Sequence, residues 1–180
     1  TIAGSDGLVA VRSSASDEDN ADQSFAGLHD SFLFIKGEDA VLDAVRKVWA
    51  SAYNDRAISY RRENGLRSAM IAVAVVVQTM VEASVSGVMF TANPVSGNIG
   101  EIVISSLYGS GEGLVSAGFD ADTFTVNKMD LSLRVVAANK QEAMVFDREK
   151  GEGLVKVAVP TARGMEPSLS NEQVRRIAKP

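Results

Sequence analysis

The chain has 180 residues, of which 46% are hydrophobic and 23% charged, and its formal net charge is −5. This size and composition are typical of one globular domain, with or without a small appendage. The acidic balance argues against a nucleic-acid binder, which needs a basic face, although a few convergent cations could still hold a nucleotide. Because the chain has no cysteine, disulfides, thiolate catalysis and zinc–thiolate sites are excluded.

No signal peptide or membrane span is visible in the sequence. The longest apolar run, residues 70–77, is far too short to cross a bilayer. We therefore expect a cytoplasmic protein with no membrane partner. The first residue is not methionine and the chain stops just after a helical pattern, so we expect a truncated fragment of a longer protein.

The first part of the chain predicts two strands followed by two helices. Residues 8–12 and 31–35 are short apolar runs typical of strands, and residues 38–54 and 55–64 have helical periodicity. Apolar side chains recur along the first helix at Val41, Ala44, Val45, Val48, Trp49 and Ala52. This stripe predicts a buried helix face with Trp49 in the core.

The remaining elements are mostly strands. Residues 70–77 are rich in β-branched side chains and predict a strand buried on both faces. We predict a helix at 170–179, with Ser170 as N-cap and Gln173 in the capping box. Further strands are predicted at 86–91, 101–106, 123–128, 133–137, 143–147 and 154–158, the last four as a smaller antiparallel set. The fold class is therefore α+β: a mostly antiparallel sheet with a helix pair and a smaller peripheral set of strands.

Arg12 is the first candidate for a binding residue. It follows an apolar strand and precedes Ser13 and Ser14, so we place it at a strand end, where α/β proteins often bind ligands. A guanidinium can donate two parallel hydrogen bonds to a phosphate and keeps its charge at physiological pH. The alternative is a structural arginine paired with Asp17 or Glu18, and these residues alone leave both interpretations open.

Two other segments could contact a nucleotide. Gln78, Met80 and Val81 end the most apolar strand, where backbone groups could meet an adenine edge; an ordinary strand-to-turn transition is the alternative. Glu112 lies in the glycine-rich segment 108–113, where a carboxylate could accept both hydroxyls of a ribose. A hairpin turn with a solvated glutamate is the alternative there.

His29 is the only histidine in the chain, and we expect it to be structural or solvated. No second histidine is present to complete a metal pair, and no serine has an obvious histidine base. Nucleophilic hydrolysis is therefore a poor hypothesis.

The order of these motifs is more specific than any one of them. Five segments follow one another, at 10–15 with Asp19, 25–27, 77–81, 86–94 and 108–112. The succession resembles the ATP-grasp nucleotide-binding domain of the phosphoenolpyruvate synthase and pyruvate phosphate dikinase family, which rifampin phosphotransferase shares. The helix pair is most similar to the synthase branch. Residues 1–180 are thus expected to be a partial ATP-grasp domain, with the motifs in 7–128 and peripheral strands and a terminal helix in 129–180.

The resemblance implies a role for each matching residue. Arg12 would bind the ATP phosphates and stabilise charge as a phosphoryl group leaves, which makes it the one catalytic candidate. Ser31, where the family usually has threonine, would be a polar contact to the nucleotide. Gln78 would form the adenine hinge together with the backbone of Met80 and Val81.

The same resemblance implies that Glu112 holds the ribose. Two departures from the family pattern lie nearby: Ala117 stands where a glycine is usual, although Gly118 is adjacent, and Ala121 stands where a proline is usual. They concern the detailed shape of the loop.

The cofactors and partners also follow from the resemblance. ATP is the expected ligand, with Mg²⁺ held by ligands outside this chain, so we expect no metal ligand within it. The expected partners are the phosphohistidine and pyruvate-binding domains of the same parent chain, while association into a homodimer is left open.

The implied parent is a dikinase-type phosphotransferase that phosphorylates a histidine on a swivelling domain and then pyruvate. It would convert ATP, pyruvate and water to phosphoenolpyruvate, AMP and phosphate, and the fragment alone should be inactive. The alternatives are the same domain of a pyruvate phosphate dikinase or of a rifampin-type antibiotic phosphotransferase, and a non-catalytic interaction domain that retains the fold.

Overall fold

A computed structural model describes residues 7–15, 19–20, 23–24, 31–63 and 73–179. The chain divides into two compact units. The first comprises Thr1–Val81 and Asp147–Leu154, and the second comprises Glu82–Phe146 and Val155–Pro180. The predicted segments at 25–27 and His29, Asp17 and Glu18 lie outside the described residues.

The helices and strands confirm the α+β class with mostly antiparallel sheets. In the first part of the chain they are β1 (Leu8–Ala15), β2 (Asp19–Asn20), β3 (Gln23–Ser24), β4 (Ser31–Lys36), α1 (Glu38–Ser51), α2 (Asp55–Glu63) and β5 (Val73–Thr79). They continue with β6 (Val85–Phe90), β7 (Glu101–Tyr108), α3 (Glu112–Val115), β8 (Asp122–Asn127), β9 (Leu133–Val136), β10 (Glu142–Phe146), β11 (Leu154–Ala158), α4 (Thr161–Gly164) and α5 (Asn171–Ile177).

The sheet of the first unit has β1 at its centre, between β4 and β5, with both pairings antiparallel. Side chains alternate between the two faces of a strand. Val9 and Val11 therefore share one face, where they form a core with Ala44 and Val48 of α1. The opposite face of the sheet carries Arg12, which is exposed.

Two details of this unit differ from the sequence predictions. Residues 73–79 alternate between half-buried and exposed positions, so the prediction of a strand buried on both faces is wrong for the described part of that run. Trp49 is 52% exposed instead of buried. The centre of the helix stripe is formed by Ala44 and Val48, and Trp49 lies at its margin, where its indole N–H donates to the Val73 carbonyl at 3.1 Å.

The second unit contains a four-stranded antiparallel sheet in the order β6-β7-β8-β9. Ile104 pairs with Phe124, and both pack in a core with Val174 and Ala178 at the end of the chain. The strands β8 and β9 belong to this sheet, whereas β10 and β11 pair separately. The predicted grouping of all four as one smaller set is therefore wrong, because the apolar residues of β8 complete the face that α5 covers.

The capping box of α5 is confirmed. The Ser170 hydroxyl accepts a hydrogen bond from the Gln173 amide at 3.2 Å, and the Gln173 side chain accepts one from the Ser170 amide at 2.8 Å. We expect Ser170→Ala to lower the free energy of unfolding by about 1 kcal/mol, because α5 supplies Val174 to the core. Urea unfolding measures this loss, and Ser170→Asp, which keeps an acceptor, is the control. Equal stability of Ser170→Ala and the wild type would contradict the expectation.

Candidate functional site

Three of the predicted site residues share one face of the first unit's sheet. Arg12 on β1 is paired with Ser31 on β4 and with Val76 on β5, and Gln78 lies two residues further along β5. Their neighbours Val11, Phe32 and Val77 belong to or pack against the core on the α1 side. Arg12, Ser31 and Gln78 therefore lie on the opposite face, and all three are exposed. Directly paired side chains in such a sheet have Cβ atoms about 5 Å apart, and diagonal ones about 7–8 Å.

Arg12 lies inside a strand, as the fifth residue of β1, and not at the strand end that the sequence suggested. Its backbone is held by strands on both sides. No carboxylate among the described residues forms an ion pair with it. A guanidinium with a hydroxyl beside it, on an exposed sheet face, has the chemistry to bind a phosphate through charge-assisted hydrogen bonds.

The backbone after β5 limits how an adenine could be held. The Met80 amide already donates to the Leu8 carbonyl at 3.0 Å, which ties this segment to β1. An adenine edge would therefore have to use the Met80 carbonyl and the Val81 amide. The Val81 side chain is 73% exposed, so it could pack on a ring without displacing any core residue.

Glu112 lies in the second unit, where it begins α3. The preceding glycine segment is a strand-to-helix connection, so the alternative of a hairpin turn is wrong. The backbone of this glycine segment is anchored to two strands. The Ser110 amide donates to the Met144 carbonyl of β10 at 2.7 Å, and the Ser86 hydroxyl of β6 donates to the Gly109 carbonyl at 2.7 Å. The half-buried Glu112 is thereby carried on an ordered support.

Both departures from the family pattern lie in the segment between α3 and β8. Gly118 has φ +64°, a left-handed conformation that glycine adopts readily. Gly118, next to Ala117, thus has a backbone conformation in which a residue with a side chain would be strained. Ala121 directly precedes β8 and is half-buried.

A buried ion pair in the second unit has no counterpart in the sequence predictions. The Lys140 ammonium lies 2.6 Å from Asp122 Oδ1, and the side chains are 1% and 0% exposed, respectively. Asp122 also accepts hydrogen bonds from the amides of Ala138 and Ser168, at 2.8 and 2.6 Å. The two partners are 18 positions apart in the sequence, which explains why no local pattern indicates the pair.

Burial raises the pKa of the Asp122 carboxyl, but the hydrogen bonds from Lys140 and Ser168 outweigh this effect. The net result is a pKa below the ordinary value of 3.8. Asp122 is therefore ionised across the physiological pH range, and Lys140 provides its counter-charge.

The described residues contain no group of three or more histidine, aspartate or glutamate side chains that could hold a metal ion. Divalent magnesium is bound through oxygen ligands, usually one or two carboxylates with water and substrate phosphates. No helix within the described ranges is long and apolar enough to cross a membrane.

The first unit thus has an exposed sheet face with a cation and polar neighbours, and the second unit has a glutamate on a glycine-rich support. The family model described as pyruvate phosphate dikinase, AMP/ATP-binding domain, matches residues 2–180. The chain therefore belongs to this family, and the resemblance that the motif order indicated is confirmed.

The relatives of the chain are much longer proteins. A probable phosphoenolpyruvate synthase of Methanocaldococcus jannaschii is 43% identical over 171 residues, which covers 95% of this chain and 14% of that protein. The phosphoenolpyruvate synthase of Pyrococcus furiosus is 40% identical over 176 residues, covering 95% of this chain and 22% of the relative. A rifampicin phosphotransferase of Streptomyces sviceus is 37% identical over 170 residues, which covers 94% of this chain and 19% of that protein. The chain thus spans less than a quarter of the length of each of these relatives.

Proposed function

We propose that this chain is the ATP-binding part of a phosphoenolpyruvate synthase. The parent enzyme would pass the β-phosphoryl group of ATP to a histidine on a swivelling domain and then to pyruvate. The products would be phosphoenolpyruvate, AMP and phosphate, with water consumed. About two fifths of the residues are identical to those of proteins with that name over nearly the whole chain, which supports the proposal.

The observation that carries the proposal is the shared face of Arg12, Ser31 and Gln78. Arg12 would bind the phosphates and stabilise the charge that develops as the phosphoryl group leaves. Ser31 would add a hydrogen bond beside it. Gln78, with the Met80 carbonyl and the Val81 amide, would bind the adenine.

Glu112 would accept the ribose hydroxyls in the same proposal. We further propose an ATP-grasp arrangement for the intact domain, with motif-bearing residues 7–128 and peripheral residues 129–180. When bound, Mg²⁺ would neutralise triphosphate charge, and its ligands would come from parts of the parent protein outside the described residues. The proposed partners are the phosphohistidine and pyruvate-binding domains of the parent. The fragment alone should not catalyse the reaction. A cytoplasmic location stays a prediction.

A second candidate is an antibiotic phosphotransferase with the same ATP-binding domain, which the relative from Streptomyces sviceus favours. The two candidates share the nucleotide contacts and differ in the phosphoryl acceptor. Phosphoryl transfer by the full-length protein to pyruvate or to rifampicin separates them.

Replacement of Arg12 tests the proposed ATP site. We expect Arg12→Ala to weaken ATP binding at least roughly tenfold, because hydrogen bonds to charged groups contribute about 1.5–3 kcal/mol each. Isothermal titration calorimetry of the protein with ATP and magnesium measures the dissociation constant. Arg46→Ala, which removes an exposed arginine from α1 on the other side of the sheet, is the matched control. Equal ATP affinity of folded Arg12→Ala and the wild type would overturn the assignment of Arg12.

A further inference from the structure

The buried ion pair of Asp122 and Lys140 lies at the base of the loop that carries Glu112. Asp122 is paired with Ser106 in the sheet, two residues before β7 ends at Tyr108. The Ser106 hydroxyl lies 2.7 Å from that of Ser168, whose amide donates to Asp122. Asp122 therefore fixes the end of β7 against the segment before α5.

Lys140 contacts the last residue before the loop. Its ammonium lies 5.6 Å from the centre of the Tyr108 ring, within the range of a cation–π contact. The Tyr108 hydroxyl donates to the carbonyls of Arg163 and Glu166, at 3.4 and 3.2 Å. The ring that directly precedes Gly109 is thus held at both its face and its hydroxyl.

The same lysine also fixes the second anchor of the loop. The Lys140 amide donates to the Gly164 carbonyl at 3.0 Å, and its ammonium donates to the Ala138 carbonyl at 3.0 Å. Two residues later β10 begins, and its Met144 carbonyl accepts from the Ser110 amide. The ion pair therefore holds the chain on both sides of residues 109–111, at β7 and at β10.

A pair of this kind contributes little net stability compared with apolar side chains of similar volume, because both charges must leave water. A buried pair with many hydrogen bonds does, however, restrict its surroundings to one arrangement. We propose that Asp122 and Lys140 are positioning residues that hold residues 109–111 so that the Glu112 carboxylate meets both ribose hydroxyls. This inference rests on the proposed function.

The test separates ribose recognition from folding and from general nucleotide affinity. Calorimetry gives the dissociation constants of ATP and of 2′,3′-dideoxy-ATP, and their ratio reports the hydroxyl contacts. We expect a wild-type ratio of roughly tenfold or more in favour of ATP, and a ratio near one for Glu112→Ala. Asp122→Asn/Lys140→Met removes both buried charges. We expect the ratio of its two dissociation constants to fall to near one, while its affinity for the dideoxy nucleotide stays within about twofold of the wild-type value. Lys128→Met is the control, since this lysine binds the Ile99 carbonyl in an exposed turn of the same unit.

The outcomes are distinct. A folded double variant that keeps the wild-type ratio would show that the pair is only structural and would overturn the inference, while the proposed function would stand. Failure of the wild type to bind either nucleotide would overturn both. If the double variant does not fold, Tyr108→Leu keeps the ion pair and removes the ring that connects it to the loop. Loss of the ratio in that variant would support the inference, and an unchanged ratio would overturn it.

Discussion

Lys140→Met is expected to lower the free energy of unfolding by about 3–5 kcal/mol, because it leaves the Asp122 carboxylate buried without a counter-charge. Urea unfolding monitored by circular dichroism measures the loss. The partner variant Asp122→Asn, which leaves the ammonium unpaired, should be destabilised as well. In the double variant neither charge remains, so its loss should be clearly smaller than the sum of the two single losses. Additive losses would contradict the assignment of a coupled pair.

The pH dependence of stability provides an independent measurement of the same pair. The pKa of Asp122 is lower in the folded protein than its ordinary value of 3.8. The unfolded chain therefore binds this proton first as the pH falls, and the stability from the ionised carboxylate is complete above pH 3.8 and lost below it. We expect the wild type to lose more stability than Asp122→Asn/Lys140→Met between pH 5 and the acidic limit of folding. Asp130 and Asp147, whose pKa values are also lowered, are present in both proteins and cancel in the comparison.

Gly109→Ala is the second substitution with a large expected effect. Gly109 has φ +81°, and a Cβ there would fall inside contact distance of the Met144 carbonyl oxygen. We expect a loss of about 1–3 kcal/mol from the steric conflict, with about 1–2 kcal/mol more from the left-handed backbone. The free energy of unfolding in urea measures the sum.

Gly97→Ala is the matched control for this substitution. Gly97 has φ +72°, but nothing lies within 4 Å of a Cβ built on it. Gly97→Ala should lose only the free energy that the left-handed backbone costs, so Gly109→Ala should be the more destabilised variant. Equal losses in the two variants would show that the Met144 carbonyl moves aside at no cost, and that the loop before Glu112 is less tightly held than its hydrogen bonds indicate.

Local patterns predicted the elements well where one short segment contains all the information. The strand 154–158 agrees with β11, and α1 begins at Glu38 as its periodicity indicates. The Ser170–Gln173 capping box depends on two residues three positions apart, and it is present. In the candidate site, Arg12 and Ser31 were predicted separately, and the sheet pairs them directly.

Long-range pairing explains the predictions that failed. Periodicity places Trp49 on the apolar stripe of α1, but the sheet packs on Ala44 and Val48, and Trp49 stays half exposed. Likewise β8 and β9 have ordinary strand patterns, and only the pairing of β8 with β7 places them in the larger sheet.

The sequence by itself determined the fold class through periodicity and capping, which are properties of neighbouring residues. Its motif order carried the resemblance that indicated the family and implied the candidate nucleotide contacts. Only the tertiary structure decided that Arg12, Ser31 and Gln78 share one exposed face, since strand register is set between segments far apart in the chain. It also decided that Asp122 and Lys140 form a buried pair beneath the Glu112 loop. A charge so completely removed from water is tolerated only with its partner in place, and that partner is brought there by the folding of the whole unit.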